Sequence, residues 1–396
     1  MGPGTSRVSA SRQQLHSRIA TTLESQFPEI AVGQPEIVAR HYTEAVLSDA
    51  AIDWWSKAGE LALRRSAFAE AVVHLDRAIG LAEGLVDNPA HRLRKLRLQT
   101  VYAQALVHAR GQGAVETNEA FARARELASG VDNPAERFLA YYGLWTGAYN
   151  RADLASMREL AQRFQFDAER WPGSPELGVA HRVFGITCWF EGDFLGAREH
   201  LASALSNYDH ERDRHMVTGY AWDPGIPTMF YFALVTWALG DVRHAVDQID
   251  EALRVAAKGG HVPTLAYAHV CAAAFAAIHR NPGPVAQHAE TVIALARKHV
   301  LPQFVAIGTS LLGWAHWSSG SRHGEGEMRD GLALTRAGGI RTFETFFGIL
   351  LAELESSFGQ TEASFATLNA QLALIEQTGQ RSFEADAHRL RGRAYV

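Results

Sequence analysis

The chain has 396 residues, 47% of them hydrophobic, and a formal net charge of −5 at pH 7. That length fits two or three ordinary domains or one long solenoid. The charge balance, with no long run of one sign, argues against nucleic acid as the main partner.

No apolar run reaches the roughly 18 residues needed to span a bilayer, and the start lacks the apolar core of a secretory signal, so a cytoplasmic chain without a membrane partner is expected. The two cysteines, Cys188 and Cys271, lie in apolar helical stretches. They read as buried free thiols in a reducing compartment.

Residues 1–10 read as a disordered leader or a remnant of cloning. Leu15, Ile19, Leu23 and Phe27 then form an i+4 stripe that stops at Pro28, the pattern of an amphipathic helix. Pro35 opens a second helix and Asp49 precedes a third, which carries Trp54, Trp55, Ala58 and Leu61. Here a spacing begins that recurs: Gly59, then Ala71, Leu75 and Ala78 across an Arg65–Phe68 turn. The stretch Ala180–Leu205 shows it most cleanly, with Gly185, a Gly192-Asp193 break, then Ala197, Leu201 and Ala204. Further on, Gly240-Asp241 separates two helices, the second carrying Ala245 and Ala252. Small residues at Gly59, Ala71, Ala78, Gly185, Ala197, Ala204, Ala245 and Ala252 are expected to let paired helices approach closely.

Val86–Ala90 and Val131–Ala135 share one punctuation, Val-Asp-Asn-Pro-Ala, after two successive units. Second helices are expected to open near residues 71, 117, 157, 197, 245, 285, 324 and 364. The pattern resembles a tetratricopeptide repeat stretched to a period of about 40 residues. It implies an all-α, right-handed solenoid of about eight hairpins plus one unpaired first helix, whose faces are buried by stacking.

Residues 11–396 also resemble the C-terminal repeat region of large bacterial signalling proteins. Those carry an adenylate/guanylate cyclase domain, an AAA/STAND-type ATPase and a tetratricopeptide-like solenoid. The resemblance lies in Arg12–Ala20, Gln34–Ala45, Ala58–Ala62, Asp223-Pro224-Gly225 and Glu384–Gly392. It implies that 11–48 is a helical lead-in from an upstream ATPase module, and that 49–396 is the repeat domain, ending mid-repeat. No Gly-x4-Gly-Lys-Ser/Thr phosphate loop is present, so no nucleotide site is expected here.

Candidate chemistry is sparse. His210 and His215 are five apart, which does not set two zinc ligands on one helix face. His316 and His323 flank a turn and read as surface groups, and no serine or cysteine sits in a nucleophile elbow. No catalytic residue, metal or cofactor is expected. Arg92, Arg94, Lys95 and Arg97 read as a solvated face, and the tryptophans of the first helices as packing or as anchors for a peptide. The longest polar connection, Tyr208 to Gly225, ends in Trp222-Asp223-Pro224-Gly225. It reads as a helix start or as a shaped loop on a groove rim, where Arg214, Tyr220, Trp222 and Asp223 would meet a ligand. The expected role is a non-catalytic interaction or sensor module for a protein, peptide or small effector; the alternatives are an oligomerisation scaffold of the same regulator and an enzyme.

Overall fold

The structure, a computed structural model, describes residues 3–111, 113–128 and 134–393. The second copy of the Val-Asp-Asn-Pro-Ala punctuation begins outside that set, and Gln112 lies outside it. Helix α1 (Pro3–Gln26) starts inside the stretch expected to lack structure. Helices α2 (Pro28–Gly33) and α3 (Pro35–Glu44) each open on proline, whose missing N–H has no partner in a first helical turn anyway.

From there the chain alternates. The pairs are α4 (Ser48–Arg64) with α5 (Phe68–Glu83), α6 (Pro89–Arg110) with α7 (Val115–Ala128), and α8 (Pro134–Asn150) with α9 (Leu154–Ala168). Next is α10 (Pro175–Glu191) with α11 (Phe194–Asn207). A connection follows, containing α12 (His210–Asp213), a 3-10 turn at Arg214–Met216 and α13 (Val217–Tyr220). Pairing resumes with α14 (Gly225–Ala238) on α15 (Val242–Gly259), and α16 (Val262–Ile278) on α17 (Pro282–His299). It continues with α18 (Pro302–Ser318) on α19 (His323–Ala337), and α20 (Glu344–Ser357) on α21 (Thr361–Thr378). Helix α22 (Glu384–Arg393) follows and packs on α20 and α21. Second helices thus open at 68, 115, 154, 194, 242, 282, 323 and 361, and no strand occurs among the described residues. The repeat spacing read from the sequence is the spacing of the fold.

Several hairpin turns share one backbone solution. Gly192 and Gly240 hold φ of +81° and +96°, and the aspartate after each caps the next helix. Asp193 accepts from the Gly196 N–H at 2.9 Å, and Asp241 from the His244 N–H at 3.1 Å. Ser66, Ala152 and Arg280 occupy the same turn position in other hairpins with φ of 55–58°. A side chain there costs about 1–2 kcal/mol, partly offset by the extra freedom that glycine has in the unfolded chain. Ala152→Gly is therefore expected to raise stability by roughly 0.5–1 kcal/mol, seen as a higher urea midpoint at unchanged slope.

First and second helices are buried differently. Second helices bury one stripe, as α15 does with Ala245, Ile249, Ala252 and Ala256. First helices from α10 onward are buried on more than one side, most fully in α14, where each residue from Gly225 to Thr236 is buried. A first helix is covered by its own partner, by neighbouring units, and on its last side by the interior of the superhelix. The small residues fit this plan: Ala71, Ala78, Ala197, Ala204, Ala245 and Ala252 are all buried. A Cβ on Gly59 would lie 2.5 Å from Leu75 Cγ, and one on Gly185 2.7 Å from Leu201 Cγ. The close contact is thus with the leucine beyond the alanine, not with the alanine itself.

The interior is not an open groove. The Gln104 side-chain amide donates to the Gly219 carbonyl at 2.7 Å, and the Arg341 N–H to the Asn150 carbonyl at 2.8 Å. The Thr342 hydroxyl donates to the Tyr149 carbonyl, and the Arg381 N–H to the Phe190 carbonyl at 2.6 Å. Gly113 meets Gly338 and Gly339 so closely that a Cβ on Gly113 would lie 2.2 Å from the Gly338 carbonyl oxygen. These contacts join distant parts of the sequence and draw the inner helices together. Cys188 and Cys271 are buried and unpaired. No helix is long and apolar enough to cross a membrane among the described residues.

Candidate functional site

Where the inner helices converge they leave a cavity of about 50 Å³. Helix α8 contributes Tyr142, Trp145, Thr146 and Tyr149, and α10 contributes Arg182 and Ile186. Trp222 enters from the long connection, Tyr231 from α14, Tyr267 from α16, and Phe304 and Ile307 from α18. Pro227 of α14, Gln303 of α18, and Ile340 and Phe343 on the segment that bonds to α8 complete the wall. Units far apart in sequence therefore share one aromatic chamber.

The hydroxyls of Tyr149 and Tyr231 are 2.8 Å apart, so one donates to the other. Burial pushes the pKa of both upward, and both stay neutral phenols. Trp145 donates its indole N–H to the Thr187 hydroxyl at 3.0 Å. Trp222 stacks on Tyr267 with ring centroids 5.3 Å apart.

Arg182 is the exception to this pairing. It is 2% exposed, and its Nη1 and Nη2 have no hydrogen-bond partner among the described residues. The guanidinium carbon lies 5.1 Å from the centroid of the Tyr142 ring. No carboxylate lines the cavity. A buried, unpaired cation is costly, by several kcal/mol in general, and an aromatic face offsets only part of that. The cavity wall thus carries a positive charge with two N–H-bearing nitrogens unengaged by protein among the described residues.

The residues singled out in the long connection divide. Tyr220 is buried with its ring 4.9 Å from that of Tyr142, and Trp222 lines the chamber. Arg214 is exposed, 3.6 Å from Glu211, and takes no part in the chamber. Asp223 is buried beside the chamber as an acceptor. It receives the Tyr208 hydroxyl at 2.8 Å and the Gly225 N–H at 2.9 Å, with His210 Nδ1 at 3.3 Å. Along the connection Asp209, Glu211, Arg212, Arg214 and His215 are exposed, Asp213 is buried, and the aromatic end turns inward. Arg182 was missed in the sequence. Its signal was an arginine directly before the mostly apolar stretch Val183–Phe190 of α10, next to His181.

No family model matches the chain. It is 22% identical over 385 residues to an uncharacterized protein of Rhizobium meliloti (strain 1021), covering 96% of this chain and 37% of that protein. The chain thus spans little more than a third of the length of that relative. Among solved structures, a Rap protein complexed with competence and sporulation factor matches with a TM-score of 0.54 at 10% identity, covering 87% of this chain and 98% of that one. The apo form of RapI matches at 0.44 and 11%, covering 88% and 97%. A STAND protein with a tetratricopeptide repeat sensor from Pyrococcus horikoshii matches at 0.42 and 15%, covering 87% and 50%. The fold is a tetratricopeptide-like α-solenoid.

Within this solenoid Asp223 anchors the inward turn. Alanine there leaves the Tyr208 hydroxyl and the Gly225 N–H buried without their acceptor. Asp223→Ala is expected to lower stability by about 2–3 kcal/mol, against about 1 kcal/mol for Asp223→Asn, which keeps an acceptor oxygen. Thermal or urea unfolding of the two variants side by side checks it. The basic run of α6 is engaged elsewhere: Arg94 reaches Asp49 at 2.7 Å and Asp53 at 2.6 Å, and Arg92 reaches Asp87 at 2.7 Å. Among the described residues no group of three potential metal ligands comes together.

Proposed function

We propose that this chain is the non-catalytic sensor arm of a larger bacterial signalling regulator of the ATPase or cyclase type, and that it binds a peptide, protein segment or small effector inside its superhelix. The observation that carries this reading is the chamber around Arg182. Walls drawn from α8, α10, α14, α16, α18 and the 340–343 segment mean that an occupant touches several units of the solenoid at once. A ligand that favours one spacing of those walls shifts the whole superhelix toward it, and an attached domain would feel the change.

Two further points support the reading. The Rap protein that shares the fold was solved with competence and sporulation factor bound. The curated relative is much longer than this chain, which leaves room in such a protein for the domains that would be regulated. The buried, unpaired thiols suit a reducing compartment and a cytoplasmic site of action. Entry to the chamber would use the seam where Arg341 and Thr342 bond to α8.

Differential scanning fluorimetry of the chain against short peptides and small effectors tests this. At least one ligand class should raise Tm, and hydrogen exchange should slow at 142–149, 182–186 and 338–343. The reading fails if no ligand shifts Tm and deletion of this segment from its full-length parent leaves regulation unchanged.

A further inference from the structure

The geometry points to a ligand that inserts a single carboxylate beside Arg182. This rests on the chamber being the ligand site, and it adds the chemistry of the group that enters. Both Nη1 and Nη2 are unpartnered in a side chain 2% exposed, so the planar N–H fork is free to take two oxygens side by side. Carboxylates match that fork. Among the described residues Arg182 is also the sole cation in the lining, and none of them there is acidic. One negative charge neutralises it. A phosphate dianion would leave a net charge buried among tyrosines and tryptophans, at a cost that no second cation offsets.

Size narrows the ligand further. A cavity of about 50 Å³ accepts a head of a few heavy atoms, carboxylate and adjoining carbons, and not a whole ring system. Trp145, Ile186 and Trp222 offer the adjoining carbons an apolar wall. Two sources present such a head: a short-chain carboxylic acid, and the free C-terminus of a peptide.

The test compares probes of one shape and different charge. Butyrate, its neutral analogue butyramide, inorganic phosphate, and N-acetyl-tetraalanine with a free or an amidated C-terminus are each titrated into the chain at constant ionic strength. A carboxylate at about ten times its Kd should raise Tm by about 2 °C. Butyramide, phosphate and the amidated peptide should not. A response to butyrate assigns the small acid, and a response to the free-acid peptide alone assigns the peptide terminus; both support the proposal. Arg182→Met should abolish the response, while its ligand-free Tm should be no lower than that of the wild type, because the uncompensated charge is gone. Arg182→Lys keeps the charge without the fork, and should bind the same probe several-fold more weakly. The proposal is overturned if butyramide stabilises as well as butyrate, if phosphate alone does, if Arg182→Met keeps the response, or if no carboxylate shifts Tm. The chamber itself survives a negative carboxylate result if a neutral ligand still raises Tm and protects 142–149 and 182–186 from exchange.

Discussion

Alanine at Gly313 lowers the unfolding free energy by about 3 kcal/mol, whereas alanine at Gly326, on the partner helix, raises it by roughly 0.5–1 kcal/mol. Helices α18 and α19 touch backbone to backbone. A Cβ on Gly313 would lie 2.3 Å from the Met328 amide nitrogen and 2.8 Å from the Gly324 carbonyl oxygen. One on Gly331 would lie 2.4 Å from the Ser310 amide nitrogen, and one on Gly324 2.3 Å from that of Trp317. None of these obstacles is a side chain that can rotate away. The two helices must separate, and Trp314 and Trp317, both 1% exposed, lose packing with them. Gly185 is a milder case, because its nearest neighbour is the Leu201 side chain, Cγ at 2.7 Å, with the Leu201 amide nitrogen farther off at 3.1 Å. Gly326 has nothing within 4 Å, so alanine there gains helix propensity without a clash. Urea titrations of the two variants report the opposite shifts at constant slope. Equal midpoints for Gly313→Ala and wild type would refute the backbone contact.

Acidification from pH 7 to pH 5 removes about 2 kcal/mol through His108 and a similar amount through His261. Burial lowers His108 from the ordinary 6.5 to about 3 and His261 to about 4, with the nearby His261 a second cause for His108. His108 packs on Phe68 and Trp222 and faces His261 at 6.0 Å, and its Nδ1 has no partner. His261 Nδ1 meets the Thr264 hydroxyl at 2.7 Å. In the folded chain both stay neutral, while in the unfolded chain both take a proton near pH 6.5. The unfolded state therefore binds more protons below that pH. The stabilisation is full above pH 6.5 and declines as pH falls toward 3 for His108 and toward 4 for His261. The pairs His181–His200 and His269–His288, 3.1 and 3.0 Å apart, add to the same trend, since burial lowers all four. His108→Gln should lose less stability than wild type between pH 7 and pH 5, in urea titrations at each pH. Parallel pH profiles would remove His108 as a cause.

The helical pairs were legible because each is decided locally. Gly192-Asp193 and Gly240-Asp241 end one helix and cap the next within a few residues, and the stripe Ala245, Ile249, Ala252, Ala256 needs only a 3.6-residue period. The long connection was legible as unusual, and two of its singled-out residues, Tyr220 and Trp222, border the chamber. Its inward turn was not. That turn depends on Asp223 finding Tyr208 and on Trp222 finding Tyr267 and Phe304, and the last two lie on later units.

By itself, then, the sequence determined an all-α tetratricopeptide-like solenoid, its period and its close-packed hairpins, because turn chemistry and stripe spacing act within one unit. Only the tertiary structure decided that the superhelix closes on itself, that Tyr149 meets Tyr231 and Phe343, and that Arg182 is enclosed without a partner. Closure is the sum of small rotations between successive units. No single unit carries that sum, so the setting of Arg182 becomes visible only when all the units are stacked.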